Sequence, residues 1–216
     1  MTIKTQHINF GGEELILTNQ RAIFWQKHKT LIISDLHIGK TAHFRRSGIA
    51  VSSKVLEADL KRLHAIISFF DANRVIVVGD MFHAELNEDI LIFTTWLDGI
   101  IDVQWTLIKG NHDRWPSEVY DLLAIEIAQP MLTLKPFIFS HDIPKKIDQH
   151  YCISGHIHPG IRIKGRGKQY IKLPCYQLMD KQLILPAFSS FTGLNTNGTS
   201  DMCIHYAFTE TSIFQI

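Results

Sequence analysis

Five short segments of the chain bring together residue types that bind metal ions or move protons. They are Asp35-Leu36-His37, Gly79-Asp80, Gly110-Asn111-His112-Asp113, His141-Asp142 and Gly155-His156-Ile157-His158. Carboxylate and amide oxygens mixed with imidazole nitrogens, with no thiolate, suit Mn, Fe, Zn or Ni rather than a soft metal. In Asp35/His37 and His156/His158 one residue separates two ligand types, so both point the same way from an extended strand end. Asp35, His37, Asp80, Asn111, His141, His156 and His158 make seven candidate ligands. Seven is more than one ion uses, whereas two ions that share a carboxylate can use them all. Glycines at 79, 110 and 155 permit the sharp turns and close approach of a crowded centre.

The charge balance points to a phosphoester. Two divalent ions bring four positive charges, and Asp35 and Asp80 remove two, so a positive centre remains for a phosphate to neutralise. Two-metal sites, with ions ~3.5–4 Å apart, generate the nucleophile and clamp both oxygens of an in-line displacement. His112, beside Asn111, is placed to give a proton to the leaving alkoxide, and Asp113 to orient that imidazole. His43, Arg45, Arg46 and His83 are the candidate substrate contacts, the arginines for a non-scissile phosphate and His83 also as a support behind the ligands. Trp105 and Trp115 could stack bases, though core packing suits Trp105 better.

Each of the five segments follows an apolar run: Leu31 to Ile33, Val75 to Val78, Trp105 to Ile108, Phe137 to Phe139, and Tyr151 to Ile153. Such short β-branched or aromatic runs read as buried strands. In layered α/β sheets the carboxyl ends of the strands form the ligand crevice. Leu56, Leu60, Leu63, Ile67 and Phe70 recur at helical spacing, with Ser52 or Ser53 as cap. Ile90, Phe93, Leu97 and Ile100 form a second stripe, capped by Asn87, with Glu88 and Asp89 at the positive end of the dipole. Strands are expected at Leu15–Leu17 and Ala22–Trp25. A hairpin follows at Ile161–Lys164 and Lys168–Leu173 around Gly165-Arg166-Gly167, and further strands near Leu183–Leu185 and Cys203–Phe208. Arg162, Lys164, Arg166 and Lys168 alternate on that hairpin, as a polyanion-steering face or as charge protecting an edge strand. This pattern is a layered α/β fold, and nothing splits residues 1–216 into more than one domain.

Composition is that of an ordinary globular chain: 45% hydrophobic and 20% charged residues over 216 positions. That excludes a disordered chain. Net charge is +1, so a polyanionic partner must be met by a local patch. Cys152, Cys175 and Cys203 are widely spaced and contain no CxxC pair. This argues against a disulfide framework or a cysteine zinc site, and for the cytoplasm. Neither a signal peptide nor a membrane span is visible.

The ordered set Asp35-x-His37, Gly79-Asp80, Gly110-Asn111-His112-Asp113, His141 and Gly155-His156-x-His158 resembles the calcineurin-like metallophosphoesterase superfamily. The resemblance implies a four-layer α/β/β/α sandwich with a dinuclear centre. Site one would be Asp35, His37, Asp80 and His158; site two would be Asp80, Asn111, His141 and His156, with Asp80 bridging. His112 would be general acid or transition-state stabiliser. A narrower set is Gly39 to Ile49, Gly79 to His83, Gly155 to Gly160, Leu173 to Tyr176 and Leu185 to Gly193. It resembles the bacterial DNA ligase-associated metallophosphoesterases, with Ser189-Ser190 as a departure where a glycine and an acidic residue are expected. This implies a phosphodiesterase or endonuclease of DNA damage. Two divalent ions are the expected cofactors, manganese first, with iron, zinc and nickel also suited to the ligands. DNA ligase, a helicase and a second nuclease would be its partners.

Two other readings stay open. One is a small-molecule phosphomonoesterase or pyrophosphatase. His141 follows His112 by only 29 positions, little room for an apolar lid over a lipid. The other is a metal-binding subunit of a repair complex without its own turnover.

Overall fold

The computed structural model describes residues 1–52, 54–83, 85–144, 147, 149–167, 169–197 and 203–216. Its first sheet joins seven strands in chain order: β1 (Thr5–Phe10), β2 (Glu13–Thr18), β3 (Ile23–Trp25), β4 (Thr30–Ile33), β5 (Arg74–Val78), β6 (Gln104–Ile108) and β7 (Ile125–Ala128). Strands β1 to β4 pair antiparallel and β4 to β7 parallel. The second sheet holds β8 (Leu132–Leu134), β9 (Phe137–Ser140), β10 (Tyr151–Ser154), β11 (Gly160–Lys164), β12 (Tyr170–Met179), β13 (Gln182–Ile184), β14 (Ile204–Phe208) and β15 (Ile213–Gln215). Its order is β15-β14-β12-β13-β10-β9-β8, with β11 paired to β12.

The period-two pattern of the strands builds two cores. Leu31, Ile33, Val75 and Val77 belong to one, while Ile32, Ile76 and Val78 belong to the other. The first core lies under α2 (Lys54–Phe70) and α3 (Glu88–Asp98). Leu56, Leu60, Leu63 and Ile67 of α2 and Ile90, Phe93 and Leu97 of α3 supply the helical side, as their spacing predicts. The second core lies between the sheets, where Trp25, Ile76 and Ile108 meet Phe137, Phe139, Ile153 and Tyr176. The expected α/β architecture of two sheets with helices is therefore the one observed. Among the described residues the α-helices all fall between 40 and 122.

Asn87 caps α3, its side chain accepting from the Asp89 amide at 3.0 Å. Ser52 Oγ accepts from the Lys54 amide at 3.3 Å, and Ser53 lies outside the described residues. Helix α1 (Lys40–Arg46), which has no apolar stripe of its own, is held by one buried carboxylate. Asp89, 1% exposed, accepts from Thr41 Oγ1 at 2.6 Å, the Ala42 amide at 2.8 Å and Arg45 Nη2 at 3.0 Å. Asp89 is thus a docking point rather than a simple dipole charge. Helix α4 (Ser117–Leu122), strands β1, β7, β8 and β15, and α1 were not legible from spacing.

Trp105 is buried, and Trp115 stacks on Phe82 at 4.2 Å in the first core, so core packing accounts for both. The hairpin β11–β12 forms as expected; Arg162 pairs with Lys172 and Lys164 with Tyr170 on one face. Arg162 lies 3.8 Å over the Tyr170 ring, and Arg166 is exposed in the turn; Lys168 lies outside the described residues. The three cysteines are free. Among the described residues no helix is long and apolar enough to cross a membrane.

Candidate metal centre

The ends of β4, β5, β6, β9 and β10 carry the five segments. Adjacent ends are zipped by backbone hydrogen bonds: the Asp35 amide to Gly79 O at 3.0 Å, His37 to Asp80 O at 3.0 Å, and Ile38 to Met81 O at 2.9 Å. At the neighbouring ends of β9 and β10 in the second sheet, the Gly155 amide donates to His141 O at 3.2 Å. Three glycines make this convergence possible. A Cβ at Gly79, whose φ is +84°, would stand 2.0 Å from His141 Nδ1; at Gly110, 2.3 Å from Asp80 Oδ1; at Gly155, 1.8 Å from Ser34 Oγ. Asp35, His37, Asp80, His156 and His158 all adopt positive φ, between 49° and 67°. Non-glycine residues rarely hold that conformation, and such strain collects at functional sites.

Two clusters result, each with its ligand atoms within 4.8 Å of one another: Asp35, His37 and His158, and Asp80, His141 and His156. In the first, His158 Nε2 is 3.2 Å from Asp35 Oδ1 and 3.4 Å from His37 Nε2. The other oxygen, Asp35 Oδ2, accepts from Ser34 Oγ and from the His156 amide at 3.2 Å. Oδ1 is buried without a hydrogen-bond donor. A buried carboxylate oxygen left without a donor while two imidazole nitrogens face it is costly for an empty cluster and natural for a cation site.

In the second cluster, His141 Nε2 is 3.4 Å from Asp80 Oδ2 and 3.1 Å from His156 Nδ1. His141 Nδ1 donates to Val78 O at 3.0 Å, which fixes the tautomer and leaves Nε2 free to ligate. Asn111 is exposed and lies between Gly110 and His112, both of which press on Asp80; the His112 amide donates to Asp80 Oδ1 at 2.9 Å.

The electrostatics follow from burial. Desolvation pushes the His37 imidazole down to about 3, so it is neutral and able to ligate. Burial also disfavours charge on His141, but the Asp80 carboxylate outweighs it and raises that imidazole to about 9. Burial likewise opposes ionisation of Asp80; His141 and the His112 amide overcome it and hold the carboxyl well below the usual range.

The remaining candidates separate. His112 is exposed at the mouth, its ring stacked 4.5 Å from His83 and edge-on to His37 at 5.5 Å. His83 also meets His37 at 5.4 Å and His43 at 5.9 Å. Burial, then the nearby His112 and Lys40, push His83 down to about 4. Asp113 does not orient His112. Its buried carboxylate accepts from the Phe82 amide at 2.9 Å, Gly110 at 2.9 Å and Met81 at 3.3 Å, so it braces the two loops that carry Asp80 and Asn111. Arg45 is turned to Asp89, which leaves Arg46 as the exposed member of that pair.

One residue escaped the sequence reading. Lys40 is half-buried, its Nζ 6.0 Å from the Phe191 ring, and its ammonium acts on Asp35, Asp80, His37 and His83 together. The available signal was its place three residues after His37. The segment Leu185 to Gly193 also gains a role: the Phe188 amide donates to Ser34 O at 2.7 Å and Ser189 to Asp35 O at 3.1 Å, clamping the strand that carries Asp35.

No curated protein matches the chain. It is similar to a nuclease, MPE, from Pseudomonas putida, with TM-score 0.81 and 29% identity over 94% of this chain and 96% of that one. It also aligns with Yfce, a phosphoesterase from E. coli, at TM-score 0.42 and 16% identity, over 87% and 97% of the two chains. The calcineurin-like phosphoesterase family model matches residues 28–163, a span that holds all five segments. With the family's span and two clusters built to hold cations, the chain belongs to the calcineurin-like phosphoesterases and is a metal-dependent phosphoesterase.

Proposed function

We propose that the chain is a two-metal phosphodiesterase acting on DNA or nucleotide diesters. The observation that carries the reading is the pair of adjacent clusters, Asp35/His37/His158 and Asp80/His141/His156, each able to hold one divalent cation; in this reading Asp80 is shared between the two ions and Asn111 completes the second. When bound, two such cations polarise the phosphoryl oxygens and activate the attacking water. The chain's own residues do the rest. Lys40 offers a cation to the phosphate. His112, exposed beside the centre and supported by the His83 ring, delivers a proton to the leaving alkoxide. His43 and Arg46 lie outside this ring and contact the substrate beyond the scissile bond.

Likeness to a nuclease along nearly the whole chain supports nucleic acid as the substrate class. Ligand chemistry admits manganese, iron, zinc and nickel, of which manganese is the metal proposed. A DNA-damage role beside a DNA ligase, a helicase and a second nuclease rests on the motif resemblance. A cytoplasmic location is favoured by three free cysteines.

The test is turnover by the manganese-loaded chain of bis(nitrophenyl) phosphate, nitrophenyl phosphate and single-stranded DNA. Diester and DNA cleavage, lost in Asp80→Ala, is the expected result. Preference for the monoester transfers the assignment to a phosphomonoesterase. Absence of turnover at full metal occupancy overturns the enzyme reading.

A further inference from the structure

Behind the metal centre lies a second polar site. A cavity of about 710 Å³ opens beside Arg21, Arg62, Asn19, Ser190 and Thr209. Both arginines are partly buried and line this same cavity. Arg62 Nη2 donates to Phe188 O and pairs with Asp59 at 2.8 Å; its Nε is buried and has no acceptor. Arg21 Nη1 donates to Ala187 O at 2.8 Å, and among the described residues Arg21 has no carboxylate within ion-pair distance. Arg21 also holds a left-handed backbone at φ +65°, a conformation that costs an arginine free energy.

The charges here do not balance. Asp59 is in ion-pair contact with Arg62 alone, acts on Arg21 only from farther off, and also accepts from the Ser190 amide at 3.1 Å. Glu210 stands exposed at the rim and pairs with neither arginine among the described residues. Burial and Arg62 together lower Arg21 to about 10. Two desolvated cations sharing one carboxylate are costly unless an anion enters. Guanidinium forks match the paired oxygens of a phosphate. The cavity has room for one.

We propose that Arg21 and Arg62 form an anion site for a phosphate group, separate from the metal centre. The phosphate comes from a free phosphate ion or from a nucleic-acid backbone, and both present the same oxygens. The arginines hold Ala187 and Phe188, and the next amides clamp Ser34 and Asp35. The site therefore sits one hydrogen-bonded layer from the first metal cluster.

The experiment follows the arginine Nε–Hε NMR signals of the full chain loaded with zinc, which is diamagnetic. Inorganic phosphate is titrated in one arm, and an oligothymidylate without terminal phosphates in the other. A saturable shift of the Arg21 and Arg62 signals is expected in at least one arm, and which arm responds identifies the source. Arg21→Gln should weaken that binding at least tenfold, and Arg21→Lys, which keeps the charge without the fork, by less. No saturable shift at either arginine in the wild-type chain overturns the proposal. That outcome leaves the phosphodiesterase reading untouched, because turnover is measured separately.

Discussion

At the scale of single residues, the centre is organised by which atoms are already spoken for. His141 spends Nδ1 on a backbone carbonyl and keeps Nε2 for the cluster, and Asp35 spends Oδ2 on Ser34 and His156 and keeps Oδ1. His112 spends no ring nitrogen on a ligand, which suits a proton donor. His112→Ala should therefore lower turnover of a diester with an alkyl leaving group by about 10²–10⁴-fold. With a nitrophenolate leaving group, which departs without protonation, the loss should be far smaller; equal losses in steady-state kinetics would remove His112 from the proton-transfer role. Lys40 calls for a different readout. Lys40→Gln should raise KM for single-stranded DNA roughly tenfold and reduce the slope of log KM against log salt by about 0.7, the share of one phosphate contact on a single strand. An unchanged salt slope would place the ammonium away from the substrate.

At the scale of elements, short secondary structures survive because side chains from elsewhere fasten them. Helix α1 depends on Asp89 of α3, and Asn87 does two things at once. It caps α3 and donates from Nδ2 to Gly39 O at 3.0 Å, at the start of α1. Asn87→Ala should thus cost about 1–2 kcal/mol, the upper part of the usual capping range. Urea unfolding measures it, and a change below about 0.5 kcal/mol would mean that the cap contributes little here. The helices α2 and α3 were readable because an apolar stripe at 3.6-residue spacing is local information. Helix α1 was not, because what holds it is 44 to 48 positions away in the chain. Strand β1 (polar at Thr5, Gln6 and Asn9) likewise gains its place by pairing with β2.

At the scale of the whole molecule, proton uptake couples folding to the centre. His37 and His83 titrate near 6.5 in an unfolded chain, but near 3 and 4 in the fold. The unfolded state takes up these protons first, so the stability they contribute is complete above pH 6.5 and is lost as pH falls through 4 for His83 and 3 for His37. His141 runs the other way. Raised to about 9, it contributes stability that is present below pH 6.5 and lost as pH rises through 9. Chelated protein should accordingly show its highest urea midpoint near neutrality, with declines at pH 5 and pH 8.5. Manganese should stabilise more at pH 8.5 than at pH 5, because a proton must leave His141 before it can ligate. A midpoint that rises steadily from pH 5 to 8.5 without metal would contradict these assignments.

By itself the sequence determined the identity of the chemistry. Asp, Asn and His placed directly after five apolar runs are local patterns, since a strand's end and its exit residues are neighbours in the chain. Proximity, rank and pairing were decided only by the tertiary structure. Which histidine meets which carboxylate depends on how two sheets stack and on three glycines that let their loops touch. The same holds for Asp113, whose carboxylate is claimed by amides from another strand end, and for Arg45, which is claimed by Asp89. Lys40 enters the centre, and Arg21 meets Arg62, through contacts between distant segments. Hydrogen bonding and desolvation act through space, and no spacing along a chain encodes them.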